Sequence, residues 1–178
     1  MTLRASKTLF HNNYKKHRNK IKTGDLLIWS DNYGSFLSKL FLSIVRFFTR
    51  SEFAHVGIAI VKEDRLYVLE ATIPEIQLIP VSSLDEFYHL PLYLDLEPND
   101  DRLGFLYDKI GLPYSMIDAV KAYLGITNLS NKKWQCAELA NKFYKHIGLN
   151  FGRSYTPTKL VNRIMKETGY SLVYVRKE

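Results

Sequence analysis

Most of the apolar runs that predict β-strands lie in the first half of the chain, and most of the helical patterns follow them. The predicted strands cover residues 26–29, 53–61, 66–71, 76–80, 91–96 and 171–175. The predicted helices cover residues 34–50, 101–110, 115–124, 134–147 and 158–168. Strands that are neighbours in sequence pair as an antiparallel sheet, whereas a parallel sheet needs alternating strands and helices. The order therefore favours an α+β fold, with an antiparallel sheet packed against helices.

The length and the cysteine count restrict how such a fold is stabilised. The chain has 178 residues, of which 46% are hydrophobic and 24% charged, and this is the composition of one globular domain rather than a disordered or collagen-like protein. It contains one cysteine, so an intramolecular disulfide and a cysteine-based zinc site are both excluded. The domain must be stabilised by packing.

The excess positive charge is confined to the N-terminal segment. Residues 1–22 carry seven basic residues and no acidic residue, and the other 18 basic residues balance the 18 acidic ones. We therefore divide the chain into a basic arm, 1–22, and a single domain, 23–178. Such an arm is most often a solvated terminus, and the alternative is a contact with nucleic acid or an anionic membrane.

No targeting or membrane-spanning segment is recognisable in the sequence. The first 20 residues lack the apolar run of a secretory signal. No stretch approaches the roughly 18 continuous apolar residues of a membrane span. We expect a cytoplasmic protein. The apolar stripe of the predicted helix 34–50 is interpreted as a core face, with a lipid-facing surface as the alternative.

The predicted strands 53–61 and 66–71 form a hairpin that brings a histidine and a glutamate together. If its turn centres on Glu63-Asp64, His55 lies opposite Thr72 and Glu70 lies opposite Gly57. His55 and Glu70 are then diagonal neighbours on one face, about 7–8 Å apart by their Cα atoms. The carboxylate could hold one imidazole nitrogen and leave the other for a nucleophile. A buried structural His–Glu pair is the alternative.

The single cysteine, Cys136, lies at the start of a predicted helix. The helix N-terminus stabilises a thiolate, and a first-turn N–H can bind an oxyanion. With His55 and Glu70, Cys136 would complete a Cys–His–acid site. The alternative is an inert, buried cysteine.

Four segments resemble the permuted papain-like proteins of the YiiX type, in the NlpC superfamily of cysteine hydrolases. They are Gly24-Asp25-Leu26-Leu27, Ala54-His55-Val56-Gly57-Ile58, Val68-Leu69-Glu70-Ala71 and Cys136-Ala137-Glu138-Leu139, and Gly111-Leu112-Pro113-Tyr114 between them is also similar. In ordinary papain-like enzymes the cysteine helix precedes the histidine strand, whereas here it follows, as in a circular permutation. The resemblance implies a permuted papain-like (NlpC-like) fold. The sequence departs from the family pattern at Ala137, where a serine is expected.

The resemblance also implies roles: Cys136 as the nucleophile, His55 as the base, Glu70 as the orienting acid and Tyr114 as a residue of the substrate pocket. The implied reaction is cleavage of an amide bond, peptide or amino-acyl, through an acyl-enzyme. One alternative is a lipid-directed acyltransferase or esterase that uses the same site. Another is a non-catalytic binding module, in which Cys136 is buried or too far from His55 to react.

No cofactor and no metal are expected, because the sequence has no phosphate-binding glycine motif and its five histidines lack ligand spacing. The expected substrate is a peptide, amino-acyl or lipid-linked small molecule. The oligomeric state is not predicted.

Overall fold

The strands of the described residues form one sheet in which most neighbours run antiparallel. The computed structural model describes residues 11–30, 52–97, 99–116, 121 and 134–177. Within them the strands are β1 His11–Asn13, β2 Leu26–Trp29, β3 His55–Lys62, β4 Arg65–Ala71, β5 Ile76–Pro80, β6 Glu86–Leu90 and β7 Val173–Arg176. The spatial order is β1-β7-β6-β2-β3-β4-β5. The six strands from β7 to β5 are antiparallel, and β1 adds to β7 in parallel.

Four α-helices can be delimited in the described residues. They are α1 Tyr14–His17, α2 Gly104–Tyr107, α3 Cys136–His146 and α4 Pro157–Thr168. Short 3-10 turns occur at Arg18–Lys20, Val81–Ser83 and Asp101–Leu103. The predicted mixed class, an antiparallel sheet packed against helices, is confirmed. No helix in these ranges is long and apolar enough to cross a membrane.

The sheet is covered on both faces. One core contains Leu26, Ile28 and Ile58 together with the inward sides of α3 and α4. The second core, on the other face, contains Leu27 and Val175. This explains why all four residues of β2 are buried, since successive side chains of a strand point to opposite faces.

The β3–β4 hairpin has the predicted register. Ile58 pairs with Leu69, and Lys62 pairs with Arg65 beside the turn. The two turn residues, Glu63 and Asp64, have φ angles of 50° and 60°. Left-handed conformations at both central residues are typical of the two-residue turn that matches the twist of a hairpin.

The described part of the basic segment packs on the sheet. His17 of α1 is buried, and its Nε2 lies 3.0 Å from Nδ1 of His89 in β6. His89 Nε2 in turn lies 2.8 Å from Asp25 Oδ2. Because a carboxylate only accepts, His89 donates to Asp25 and accepts from His17. The sheet therefore begins at His11, inside the segment that the charge pattern set apart as an arm.

Two predicted elements differ in the structure. Residues 91–96 do not form a strand: the strand is Glu86–Leu90, and the Leu92 N–H that follows is bound by Asp25 Oδ1 at 2.8 Å. Tyr93 then adopts a φ of 52°, which interrupts extended pairing. The helix predicted over 101–110 is instead a 3-10 turn, Asp101–Leu103, which Asp100 caps, followed by an α-helix that ends at Tyr107. The predicted helix 34–50 and most of 115–124 lie outside the described residues.

Candidate functional site

His55 and Glu70 form a buried pair between neighbouring strands. His55 begins β3 and is 4% exposed, and Glu70 near the end of β4 is 1% exposed. His55 Nε2 lies 2.7 Å from Glu70 Oε2. The carboxylate accepts the imidazole N–H, so Nε2 carries the proton. The diagonal pairing predicted from the hairpin register is present.

The second carboxylate oxygen of Glu70 has a partner on the next strand. Gln77 of β5 lies directly opposite Glu70 in the sheet. Its Nε2 donates to Glu70 Oε1 at 3.1 Å. Gln77 was not among the predicted site residues.

Cys136 is the first residue of α3 and is 5% exposed. Its side chain lies close enough to the imidazole of His55 to raise the pKa of that ring, and its Sγ lies 4.0 Å from Oε1 of Gln135. Since Nε2 of His55 donates to Glu70, an interaction with the thiol would use Nδ1. The structure thus brings together Cys136, His55 and Glu70, which are far apart in sequence.

The pKa of His55 reflects both neighbours. Burial alone lowers it, because the charged imidazolium loses its hydration. The neighbouring Cys136 and Glu70, together with the hydrogen bond to Glu70, outweigh burial and raise the pKa of His55 to about 10. The surroundings therefore favour the imidazolium form of His55.

Gln135 caps the helix that begins at Cys136. Its Oε1 accepts the Ala137 N–H at 3.1 Å, and its Nε2 donates to the Tyr155 carbonyl. Ala137 carries no side-chain hydrogen-bonding group, and the cap is supplied by Gln135, the residue before Cys136. Gln135 was also missed in the sequence, because glutamine is not among the preferred N-cap residues.

Two further contacts position α3. Tyr144 Oη donates to the Gly24 carbonyl at 3.0 Å, just before β2. Asn141 Nδ2 donates to the Gly152 carbonyl at 2.8 Å. Together they link the helix to the sheet and to the segment that leads into α4, and so determine where Cys136 lies.

Tyr114 lies on the segment between β5 and the start of α3. It is half-buried and forms an isolated parallel bridge with Trp134, two residues before Cys136. Its N–H donates to the Pro74 carbonyl at 2.9 Å. Its predicted role in a substrate pocket stays a prediction.

Comparisons with known proteins report on the fold. No protein-family model matches the chain. No curated protein matches it either. Among solved structures, the chain is similar to the metalloprotein YiiX from Escherichia coli O157:H7, with a TM-score of 0.52 and 16% sequence identity. The match covers 85% of this chain and 87% of that one. The chain therefore has a YiiX-like fold.

Proposed function

We propose that the protein is a cysteine hydrolase of the permuted papain-like type, cleaving an amide bond in a peptide or amino-acyl substrate. The observation that carries the proposal is the position of the His55 imidazole, which is hydrogen-bonded to Glu70 and lies close enough to Cys136 for that side chain to raise its pKa. Nucleophile, base and orienting acid are thus in the order that a thiol hydrolase requires. The YiiX-like fold is consistent with this assignment.

In the proposed reaction the Cys136 thiolate attacks the substrate carbonyl carbon and forms a C–S bond. The developing oxyanion is stabilised by the Cys136 N–H in the first turn of α3, aided by the helix dipole. The His55 imidazolium donates its Nδ1 proton to the leaving amine as the C–N bond breaks. Water then attacks the thioester with Nδ1 accepting its proton, the C–S bond breaks, and release of the carboxylic acid restores the thiolate and the imidazolium.

Glu70 keeps its negative charge throughout. Its hydrogen bond to Nε2 fixes the tautomer and orients the ring, and its charge stabilises the imidazolium. The proton therefore moves at Nδ1 alone.

A metal ion has no part in this scheme. YiiX is described as a metalloprotein, but in the described ranges no group of three or more His, Cys, Asp and Glu side chains could hold a metal ion. His55 and His89 both use ring nitrogens in hydrogen bonds to carboxylates. No step of the proposed reaction is assigned to a metal ion.

The first test is alkylation of Cys136 by iodoacetamide across pH, in wild type and in His55→Ala. Because the chain has one cysteine, whole-protein mass spectrometry reports this site directly, with Cys136→Ser as the blank. We expect wild type to react at pH values well below those needed for a free thiol, whose ordinary pKa is about 8.5, and His55→Ala to lose this reactivity.

A wild-type cysteine that does not react, or reacts with the same pH profile as His55→Ala, would overturn the proposal. That result is what the binding-module alternative predicts, since Cys136 is buried. Reactive wild-type protein is then incubated with amino-acyl anilides and with short-chain lipid esters. Acylated Cys136 and released amine support amidase chemistry, whereas turnover of the esters alone supports the lipid-directed alternative.

A further inference from the structure

We infer that Gln77 is a positioning residue of this site, acting on His55 through Glu70; the inference rests on the proposed function. Gln77 touches neither Cys136 nor a substrate in this scheme. Its amide donates to Glu70 Oε1 at 3.1 Å, while Glu70 Oε2 accepts from His55 at 2.7 Å. The three side chains form a chain of hydrogen bonds across β5, β4 and β3.

Strand pairing keeps this chain in place. Gln77 and Glu70 are directly opposed in the β4–β5 ladder, so their side chains leave the sheet on the same face. Gln77 is half-buried and Glu70 fully buried. A buried carboxylate that loses a donor is less stable as an anion and is less constrained in its rotation.

The amide type matters for the charge of the site. A glutamine donor satisfies an oxygen of Glu70 without adding a proton or a charge, so the carboxylate stays anionic toward His55. Glu70 is one of the groups that raise the pKa of His55. Gln77 should therefore affect His55 even though it does not contact the imidazole in this chain of bonds.

The test compares Gln77→Met, which keeps a similar length but lacks the donor, with Leu78→Met. Leu78 is the next residue of β5, is half-buried and points to the opposite face. The readout is the ratio of the alkylation rates of Cys136 by iodoacetate and iodoacetamide. The anionic reagent is favoured only while His55 is an imidazolium, so the pH midpoint of the ratio reports the pKa of His55.

We expect Gln77→Met to lower this midpoint by up to about one pH unit, because a carboxylate that Gln77 no longer holds can turn away from His55 and weaken the contact that stabilises the imidazolium. Leu78→Met should leave the midpoint unchanged. Gln77→Glu is the second variant, in case Gln77→Met fails to fold. Its new carboxyl group shares a proton with Glu70 and so keeps the hydrogen bond, and its midpoint should not fall below that of wild type.

A midpoint in Gln77→Met equal to that of wild type and of Leu78→Met would overturn the inference. Equal decreases in Gln77→Met and Gln77→Glu would also overturn it, because they would indicate a disturbance of β5 unrelated to donation. Failure of the proposed function looks different: wild type and His55→Ala then give the same ratio at every pH.

Discussion

His55 donates from Nε2 to Glu70 Oε2 at 2.7 Å although the two residues are not directly opposite in the sheet. The residue across from Glu70 is Gly57, by extension of the ladder in which Ile58 pairs with Leu69. A Cβ at Gly57 would lie 3.2 Å from Glu70 Cβ and would collide with Val68 Cγ2. The missing side chain leaves room for β3 and β4 to approach and for the carboxylate to turn toward His55.

Gly57→Ala is therefore expected to destabilise the protein and to disturb the site. The added methyl group must move β4, which carries both Val68 and Glu70. Overpacking of this kind costs about 1–3 kcal/mol. Urea denaturation measures the loss, and iodoacetamide alkylation of Cys136 should slow in the same variant.

Gly104→Ala is the matched control for this change. A Cβ at Gly104 meets nothing within 4 Å, and the residue begins a helix. Alanine there should leave stability equal or slightly higher. If Gly57→Ala behaved like Gly104→Ala in both assays, the packing argument would be wrong.

Glu70→Gln should lower the alkaline limit of the site, that is, the pH above which His55 loses its proton. Burial lowers the pKa of His55, and Cys136 and Glu70 raise it to about 10. Removing the Glu70 charge removes one of the raising contributions, so the imidazolium loses its proton at a lower pH. With a substrate in hand, the measurement is the pH dependence of kcat/KM, and before that the iodoacetate-to-iodoacetamide ratio.

Glu75→Gln controls for the loss of a carboxylate near the same strand, since Glu75 is exposed just before β5. It should keep the wild-type limit. An unchanged limit in Glu70→Gln would show that Glu70 does not stabilise the imidazolium.

The hairpin and the His55–Glu70 pair could be predicted because they depend on local sequence. The turn at Glu63-Asp64 sets the register, and the register sets which side chains are neighbours. Cys136 could be placed at a helix start from the pattern of α3, and a Cys–His–acid site with His55 and Glu70 followed from residue types as a hypothesis that the resemblance then supported. Periodicity alone does not say where a helix packs on a sheet.

The rest depends on contacts that no local pattern reveals. Residues 91–96 are more apolar than Glu86–Leu90. However, Asp25 accepts a hydrogen bond from the Leu92 N–H, and the strand lies before this point in the chain. His17 and His89 are 72 positions apart, and neither belongs to a motif that the sequence analysis identified. Gln77 has a role in the site only because β5 pairs with β4 at that register.

His17 should make the protein less stable in mild acid. Burial lowers the pKa of His17 to about 4, and the charges of His89 and Lys20 add to the effect. The unfolded chain takes up a proton near pH 6.5, whereas the folded protein does not until about pH 4. The free energy of unfolding therefore falls as the pH decreases from 6.5 to 4, and this contribution is intact above that window.

The structural reason lies in the ring nitrogens. With Nε2 of His17 donating to His89, Nδ1 is buried and has no hydrogen-bond partner in the described part of the chain. Protonation would place an unpaired N–H and a charge there. His17→Gln can still donate to His89 without titrating, so urea denaturation should show a smaller decline across this window. His146→Gln, at an exposed position, should keep the wild-type decline, and an equal decline in His17→Gln would refute the assignment.

The exposed cations of the N-terminal segment should bind a phosphate-rich partner. Lys15, Lys16, Arg18, Lys20 and Lys22 are all exposed, while His17 and Ile21 between them are buried. Packing of these two residues keeps the five cations on a structured surface. Arg18 is partly engaged, since it donates to the Asp64 carbonyl, so the test uses Lys15→Glu, Lys16→Glu and Lys20→Glu together.

The two probes are vesicles rich in phosphatidylserine and single-stranded DNA. We expect one of them to bind at low salt, with affinity falling at least about tenfold between about 50 and about 200 mM salt. The triple variant should lose this binding and keep the thiol reactivity of Cys136. Retained binding in the triple variant, or no binding of either probe at low salt, would contradict the expectation, and the probe that binds identifies the class of partner.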